Sequence, residues 1–343
     1  MSKSLTVAVA SYNSQDYIKR CIESVIPALD DIELVIVDDG STDATTDIVE
    51  EFVSKYPRDI RLIRKEHGGY GSAINWAMHD VATPWFRLLD ADDCFLPEGL
   101  NSLLKVLRQQ EDDPASSDLI VNDYVYRLLM SDGTERISPH HFDNVFPQTG
   151  HNSWARTKNF NVDQILGKQS ITYSTRLLGK VNLHVPDHSR YADHVFAYEP
   201  LPHVRRIYYL DEEVYSYTLG RTGQAASMEF MVDDVDNIIS LALDMFRRVR
   251  LDSVRPQKLQ RYMYNHMARL IAVCMIPLRA EIAGTNAVNQ QMELIWRDFA
   301  NINANAARHL KAMPMLNSKR LMSSSASYLN KDVYNLIGKV FIL

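Results

Sequence analysis

The chain of 343 residues has only three cysteines, Cys21, Cys94 and Cys274, and no CxxC pair. An odd number without that spacing indicates neither a disulfide framework nor a zinc knuckle, and it favours a reducing, cytoplasmic setting. Long apolar runs are also missing. The longest near the C-terminus, LIAVCMIPL (270–278), is far shorter than the roughly 20 residues that a membrane span needs. The first residues lead directly into a short apolar run, so no secretory signal peptide is expected.

Positive charge is not in excess, because the formal net charge is −6, and no nucleic-acid partner is expected. The charge is distributed unevenly: residues 251–343 carry +7 and residues 1–250 carry −13. Such a division suggests two parts that face different partners. A basic helical tail is typical either of a surface that contacts an anionic membrane or of a solvated basic face, and the sequence leaves both open.

The first hundred residues alternate apolar runs with amphipathic segments of helical spacing. Strands that are apolar throughout and separated by amphipathic helices predict an α/β fold, with a mostly parallel sheet covered by helices on both faces. The four predicted strands of this part are LTVAVA (5–10), IELVIVDD (32–39), IRLIRK (60–65) and PWFRLLD (84–90).

The alternation ends near residue 113. RRIYYLDEEVYSYT (205–218) looks like a hairpin or paired strands, and from Ala226 the pattern is helical almost to the end. We therefore predict two domains, an α/β domain over residues 1–225 and a helical region over residues 226–343. The apolar stretch VYNLIGKVFIL (333–343) is predicted either to lie at a membrane surface or to pack against the other helices.

Polar and acidic residues follow each of the four predicted strands. Parallel sheets bind their ligands at the carboxyl ends of their strands, so these residues predict a single binding rim. The segments concerned are Ser11–Asn13, Asp38–Asp39, His67–Gly71 and Asp90–Asp93.

Two acidic clusters stand out on this rim. Asp90 and Asp92 are two positions apart on an extended segment, so both carboxylates point the same way and can share Mg²⁺ or Mn²⁺. The alternative is a solvated acidic turn in which Asp93 caps the next helix. In the other cluster, Asp39 can accept a hydrogen bond from a base edge, and the alternative is a strand–turn–helix cap.

The remaining rim segments suggest contacts with a nucleotide. Tyr12 can stack on a base, and Asn13 can position the backbone. The stretch EHGGYGSAIN (66–75) resembles a phosphate cradle but lacks the P-loop lysine and the GxGxxG spacing. Alternatively, its glycines simply let the loop pass close to a ligand.

Taken together, SYN, VDDGSTD, GGYGSAIN and LLDADD followed by Pro97 closely resemble the family 2 glycosyltransferases, which have the GT-A fold. The resemblance covers residues 5–220. The segments ITYSTRLLGK (171–180), YADHVFAYEP (191–200) and VYSYTLGRTGQAAS (214–227) resemble a bacterial subgroup associated with capsular and other cell-envelope polysaccharides.

The resemblance implies an inverting, metal-assisted transfer of a sugar from a nucleotide-diphosphate sugar, a UDP-sugar, to a hydroxyl of a cell-envelope glycan or lipid-linked oligosaccharide. It implies that Asp193 is the general base, in a motif whose preceding acid is replaced by Ala192, and that Asp92 ligates Mg²⁺ or Mn²⁺ with support from Asp90. It also implies self-association or peripheral membrane contact through the C-terminal helices. The residues implied to bind the nucleotide sugar are Ser11, Tyr12, Asn13, Asp38, Asp39, Gly69, Gly71, Asp90, Ala91, Arg221 and Gln224.

Two other classes of protein fit parts of the pattern. One is an inactive nucleotide-sugar-binding or scaffold subunit of a polysaccharide assembly system, but such a subunit has no need of a base at Asp193. The other is a sugar nucleotidyltransferase, which needs a glycine-rich, basic loop after the first strand. Residues 11–17, SYNSQDY, contain neither a glycine nor a basic residue.

Overall fold

The computed structural model contains ten strands and ten α-helices among the residues that it describes. These are residues 3–317 except 112, 114, 131, 162–163, 190, 221–234 and 282–284, and the side chains of 273–289 and 317 are also not described. The strands are β1 (Leu5–Ser11), β2 (Ile32–Asp38), β3 (Ile60–Arg64), β4 (Trp85–Leu88), β5 (Cys94–Phe95), β6 (Leu119–Leu129), β7 (Glu135–His140), β8 (Gly150–Asn152), β9 (Ile171–Ser174) and β10 (Ile207–Leu219). The helices are α1 (Ile18–Val25), α2 (Thr45–Lys55), α3 (Tyr70–His79), α4 (Pro97–Glu111), α5 (Thr175–Val181), α6 (Ala192–Tyr198), α7 (Val235–Arg248), α8 (Gln257–Glu281), α9 (Thr285–Lys311) and α10 (Pro314–Asn317).

All these strands belong to one mixed sheet. Its main path runs β3-β2-β1-β4-β9-β6-β10-β5, with β7 beside β6 and β8 beside β10. The pairs β1–β2, β1–β4 and β2–β3 are parallel, which confirms the predicted parallel part, and β9 is antiparallel to both β4 and β6. Strand β1 is mostly apolar because both of its faces are covered: Leu5, Val7, Ala8 and Val9 are all buried.

The tyrosine-rich stretch near residue 210 is one strand, so the predicted hairpin is wrong. Strand β10 runs parallel to β6, and its register shifts between Leu210 and Glu213 and again between Glu213 and Tyr215. Such irregularities let a strand carry unpaired residues without ending. The acids Asp211 and Glu212 are exposed at this irregularity. In the sequence they interrupt the apolar alternation in the way that a turn does.

Packing divides the described chain into two compact units. The first unit holds the described residues up to Lys158 together with Leu166–Gly220, and it contains the sheet and helices α1–α6. The second unit holds Asn159–Ile165 and the described residues after Gly220, including helices α7–α10. The domain boundary predicted between residues 225 and 226, like the apolar stretch 333–343, lies outside the described residues. Among the helices that are described, none has both the length and the apolar character needed to cross a membrane.

The short segment Asn159–Ile165 joins the second unit through its packing on α8. The guanidinium of Arg269, which is buried, donates hydrogen bonds of 2.9 Å to the carbonyl oxygens of Gln164 and Asn161. The ring of Phe160 lies 4.4 Å from that of Tyr262, measured between centroids. A buried arginine needs such partners for its donors, so these bonds fix the segment on the helix.

Candidate functional site

The register of the parallel strands brings the predicted rim together. Ser11, at the end of β1, is paired with Asp38, at the end of β2. The next peptide N–H, that of Asp39, donates a 2.9 Å hydrogen bond to the carbonyl of Ser11, and the N–H of Lys65 donates a 3.0 Å bond to the carbonyl of Asp38. The ends of β1, β2 and β3 therefore form one continuous edge.

The carboxylate of Asp39 anchors the glycine loop that follows β3. One of its oxygens accepts hydrogen bonds from the ammonium of Lys65 and from the N–H of Gly68 at 2.9 Å. The other accepts from the N–H of Gly69 at 2.8 Å and lies 3.0 Å from Nδ1 of His67. Asp39 is buried, so these bonds replace its lost hydration. Its predicted contact with a base stays a prediction.

The glycines of this loop serve its packing in this structure, and the predicted contact of the loop with a phosphate stays a prediction. The N–H groups of Gly68 and Gly69 point to Asp39. A Cβ added at Gly69, whose φ is +86°, would lie 2.8 Å from the carbonyl oxygen of Asp187, and one added at Gly71 would lie 1.9 Å from that of Pro186. The loop does pass close to a partner, but this partner is the backbone of the same chain.

Gly71→Ala is therefore expected to destabilise the protein. Its new methyl group overlaps the backbone of Pro186, and relief requires a shift of the chain that costs about 1–3 kcal/mol. The measurement is the free energy of unfolding in urea. Gly179→Ala is the matched control, because a Cβ there meets nothing within 4 Å and Gly179 lies inside α5. Equal stability of the two variants would contradict the close approach at Gly71.

Asp38 and Asn13 shape the two turns beside the rim. The carboxylate of Asp38 accepts hydrogen bonds from the N–H of Ser41 at 2.9 Å and from the hydroxyl of Thr46. Asn13 adopts a left-handed conformation with φ +48°, and its side-chain oxygen accepts from the N–H of Thr42 at 2.8 Å. The N–H of Asn13 donates to the hydroxyl of Ser41 at 3.0 Å. The observed contacts of both side chains hold the loops in place.

An exposed ring pair lies at the same edge. The rings of Tyr12 and His67 have centroids 4.4 Å apart and are tilted by 35°, and Tyr12 is 46% exposed. Beside them Ser11 is only 2% exposed, and its hydroxyl has no hydrogen-bond partner among the described residues. Aromatic faces and an unused buried hydroxyl suit a flat, polar ligand such as a base. His67 was predicted as part of the rim segment His67–Gly71, but it was not among the residues predicted to bind the nucleotide sugar.

The acids after β4 form a tight cluster. One carboxylate oxygen from each of Asp90, Asp92 and Asp93 lies within 4.8 Å of the others, and Ala91 between them is buried. The alternative interpretation, in which Asp93 caps the next helix, is wrong. Its carboxylate accepts 2.7 Å hydrogen bonds from the hydroxyl of Tyr215 and the N–H of Thr218 on β10. Burial, together with the neighbouring carboxylates, raises the pKa of Asp93 well above its usual value.

Lys168 joins this cluster to the predicted general base. Its ammonium lies 2.7 Å from a carboxylate oxygen of Asp90 and 2.8 Å from one of Asp193, and it is itself buried. The other oxygen of Asp90 accepts a 2.9 Å hydrogen bond from the hydroxyl of Tyr70, whose ring lies 5.5 Å from the ammonium. The structure therefore brings Asp90 and Asp193, which are distant in the sequence, to one cation.

Arg87 holds the turn that carries Lys168. Arg87 lies on β4 and is fully buried, and its guanidinium donates to the carbonyl of Gln169 and to the side-chain oxygens of Asn122 at 2.7 Å and Thr172 at 3.0 Å. Burial lowers its pKa to about 9. All three of these acceptors are uncharged. The guanidinium therefore orients the turn rather than neutralising an acid.

Asp193 lies in the first turn of α6 and is held in its charged form. Burial alone would raise its pKa, but the ammonium of Lys168 outweighs burial and lowers the pKa below the usual value. Ala192, which stands where the family motif has a second acid, is fully buried. A Cβ added at Gly71 would lie 3.0 Å from the Cβ of Ala192, so Ala192 packs close to this glycine. Arg221 and Gln224, also predicted for the site, lie outside the described residues.

A second group with metal-ligand chemistry lies elsewhere in the first unit, formed by Asp123, His141 and Asp211. Here the buried carboxylate of Asp123 accepts hydrogen bonds from the hydroxyl of Tyr209 at 3.0 Å and the N–H of Phe142 at 3.0 Å, and lies 2.8 Å from Nδ1 of His141. Burial raises the pKa of Asp123 to about 6. These bonds tie the loop after β7 to Asp123 on β6, and Asp123 to Tyr209 on β10, so Asp123 and His141 have a structural role here.

Comparison with known proteins places the first unit in a family. The sequence model of the family described as glycosyl transferase family 2 matches residues 6–187, which is more than half of the chain. The teichoic acid poly(glycerol phosphate) polymerase of Staphylococcus epidermidis is 42% identical over 91 residues, which are 26% of this chain and 13% of that protein. A chondroitin synthase of Escherichia coli is 30% identical over 169 residues, 46% of this chain and 24% of that one. The chain thus matches at most a quarter of either relative.

Among solved structures, the fragment 1–349 of TarS from S. aureus, crystallised in complex with UDP, superimposes with a TM-score of 0.62. The superposition covers 98% of this chain and 90% of that fragment at 17% identity. Because the likeness extends over both units, it confirms the predicted α/β fold with a C-terminal helical region. At this identity it bears on the fold alone.

Proposed function

The chain belongs to glycosyl transferase family 2, and we propose that it is an inverting, metal-assisted enzyme. Its proposed donor is a nucleotide-diphosphate sugar, a UDP-sugar, and its acceptor is a hydroxyl of a cell-envelope glycan or lipid-linked oligosaccharide. The observation that carries the proposal is the ammonium of Lys168, which lies between Asp90 and Asp193. Through this shared contact, the candidate base lies beside the acids of the strand-end rim. A transfer between two bound substrates needs the base and the donor site to be close together.

The donor's base is assigned to the ring pair at the end of β1. Tyr12 and His67 offer the exposed face on which a uracil stacks, and the buried hydroxyl of Ser11 supplies a hydrogen bond that it does not make within the protein. The TarS fragment was crystallised with UDP, which supports a UDP-sugar as the donor. The polymerase relative is named for teichoic acid, which supports an acceptor in the cell envelope.

The acid cluster fits a divalent cation by the chemistry of its donor atoms. Mg²⁺ and Mn²⁺ favour carboxylate oxygens, and three such oxygens lie within 4.8 Å of one another here. Both oxygens of Asp93 accept hydrogen bonds from β10, and the oxygens of Asp90 contact Lys168 and Tyr70. Asp92 is therefore the residue that would hold the ion, with Asp90 in support. When bound, the ion supplies a Lewis acid that stabilises the negative charge of the leaving diphosphate.

Asp193 is assigned the proton transfer. Its ionised carboxylate accepts the proton of the acceptor hydroxyl while that oxygen forms a bond to the anomeric carbon. The bond between the anomeric carbon and the phosphate oxygen breaks, and its electron pair leaves with UDP. Attack and departure on opposite faces invert the anomeric configuration in a single displacement, without a covalent intermediate. Lys168 keeps Asp193 charged and in place for this step.

Titration calorimetry with UDP, with and without Mn²⁺, tests the donor site. We expect Mn²⁺ to tighten UDP binding by about tenfold or more, because the ion adds contacts to the diphosphate. Asp92→Asn is expected to remove this gain while UDP still binds in the absence of metal. Equal affinities with and without Mn²⁺ for the unaltered protein would contradict the metal role, and an absence of UDP binding would contradict the proposed donor class.

A further inference from the structure

A pocket of about 590 Å³ lies on the second unit and is lined only by residues of that unit. Its volume falls within the range of roughly 300–1,000 Å³ that is typical of ligand sites. Three of its lining side chains can carry a positive charge, and none is acidic. The lining residues are Asn159, Gln257, Lys258, Gln260, Arg261, Tyr264, Asn265, His309, Ala312, Met313 and Pro314.

The start of α8 strengthens the positive character of this pocket. Gln257, Lys258, Gln260 and Arg261 all belong to the first five residues of this 25-residue helix. The peptide N–H groups at a helix start carry partial positive charge, and acidic side chains commonly offset it. The first turn of α8 contains no acidic residue. The helix end and the side chains of Lys258 and Arg261 therefore act in the same direction on a ligand.

Other lining residues of the pocket offer rings and carbon surface. The rings of Tyr264 and His309 have centroids 4.4 Å apart, and Ala312, Met313 and Pro314 lie beside them. A small inorganic anion has no use for such a surface. A ligand that joins anionic groups through a carbon skeleton can contact both the positive side chains and the ring and carbon surface.

One wall of the pocket is fixed before any ligand arrives. Asn159 belongs to the short segment that Arg269 binds to α8 through the carbonyls of Asn161 and Gln164. A preformed wall lowers the entropic cost of binding.

We propose that this pocket binds a phosphate-ester segment of the acceptor. The inference rests on the proposed function, because it concerns the acceptor of the same transfer. The positive side chains and the start of α8 bind the phosphate, and the ring and carbon surface contacts the adjoining polyol or sugar. The donor's diphosphate is assigned to the first unit, so it does not compete for this role.

Binding of a synthetic glycerol phosphate hexamer to the full chain tests the inference by calorimetry. We expect the double variant Lys258→Gln/Arg261→Gln to weaken this binding by about tenfold or more, because two charged donors are lost. The control pair Arg247→Gln/Arg297→Gln also removes two charges, from exposed residues of the same unit outside the pocket. It is expected to bind the hexamer as the unaltered chain does. Neutral maltohexaose is expected to bind more weakly than the hexamer.

Several outcomes would overturn the inference. Equal losses of hexamer binding in the double variant and in the control pair would show general attraction to a basic surface. Inorganic phosphate that binds as tightly as the hexamer would show a general anion site. Loss of binding to phosphatidylglycerol vesicles in the double variant, with hexamer binding unchanged, would assign the pocket to a membrane. Failure of the proposed function appears separately, as an absence of UDP binding in the unaltered chain.

Discussion

Asp193→Asn should lower the rate of sugar transfer by about 10²- to 10⁴-fold, the usual contribution of a general base. The amide matches the carboxylate in size, and its oxygen can still accept the hydrogen bond from Lys168, but it cannot take the proton of the acceptor hydroxyl. UDP affinity is expected to stay unchanged, because the ring pair and the acids after β4 remain. The measurement is UDP release with the UDP-sugar that a donor screen selects, combined with UDP calorimetry.

Asp30→Asn provides the control for this substitution, because it makes the same chemical change at an exposed position away from the rim. Its transfer rate is expected to equal that of the unaltered chain. Transfer by Asp193→Asn at the unaltered rate would remove the base role from this residue. Loss of UDP binding together with transfer would show that Asp193 supports the donor site rather than the proton transfer.

Lys168→Met is expected to change both stability and the pH dependence of transfer. Removing the ammonium leaves the carboxylates of Asp90 and Asp193 close together with no cation between them. Such a change at a buried site typically lowers the free energy of unfolding by about 3–5 kcal/mol. In the unaltered chain Lys168 holds the pKa of Asp193 below its usual value, so the base is charged at neutral pH. Without it, burial and Asp90 both act to raise that pKa. As the pH is lowered, transfer in the variant should therefore decline at a higher pH than in the unaltered chain, whose base stays charged.

The stability deficit of the same variant has a defined sign. A carboxyl whose pKa is raised by folding binds more protons in the folded than in the unfolded state. The free energy of unfolding of the protein therefore falls as the pH rises. The deficit of Lys168→Met in the free energy of unfolding should be larger at pH 8 than at pH 5. Lys168→Arg is expected to restore part of the transfer, and Lys105→Met, on the exposed side of α4, should change neither property. A variant with the unaltered pH profile would contradict this role.

The rim was predictable because its elements are local. The apolar runs of β1 and β2 are continuous in the sequence, and the rule that ligands bind at the carboxyl ends of parallel strands places the acids after β2 and β4 on one edge. Sequence patterns of this kind depend on residues that are neighbours in the chain. The same reasoning identified Asp39, but it could not find the amides of Gly68 and Gly69 that occupy its oxygens.

Lys168 and Arg87 were not predictable, because their partners are not neighbours in the sequence. Lys168 lies in a loop-rich stretch without periodicity, and its two partners are 78 and 25 residues away in the sequence. Arg87 interrupts an apolar strand, and nothing local distinguishes a buried arginine bonded to neutral oxygens from one that points to solvent. Both roles depend on contacts that exist only once the sheet is formed.

The side chains that tie the rim loops together affect the thermodynamics of donor binding. Asn13 bonds the turn after β1 to the turn after β2, and Asp39 bonds that turn to the loop after β3. Loops that are already ordered lose little conformational freedom when a nucleotide arrives. The binding free energy of a donor is then reduced only slightly by the entropic cost of ordering these three loops.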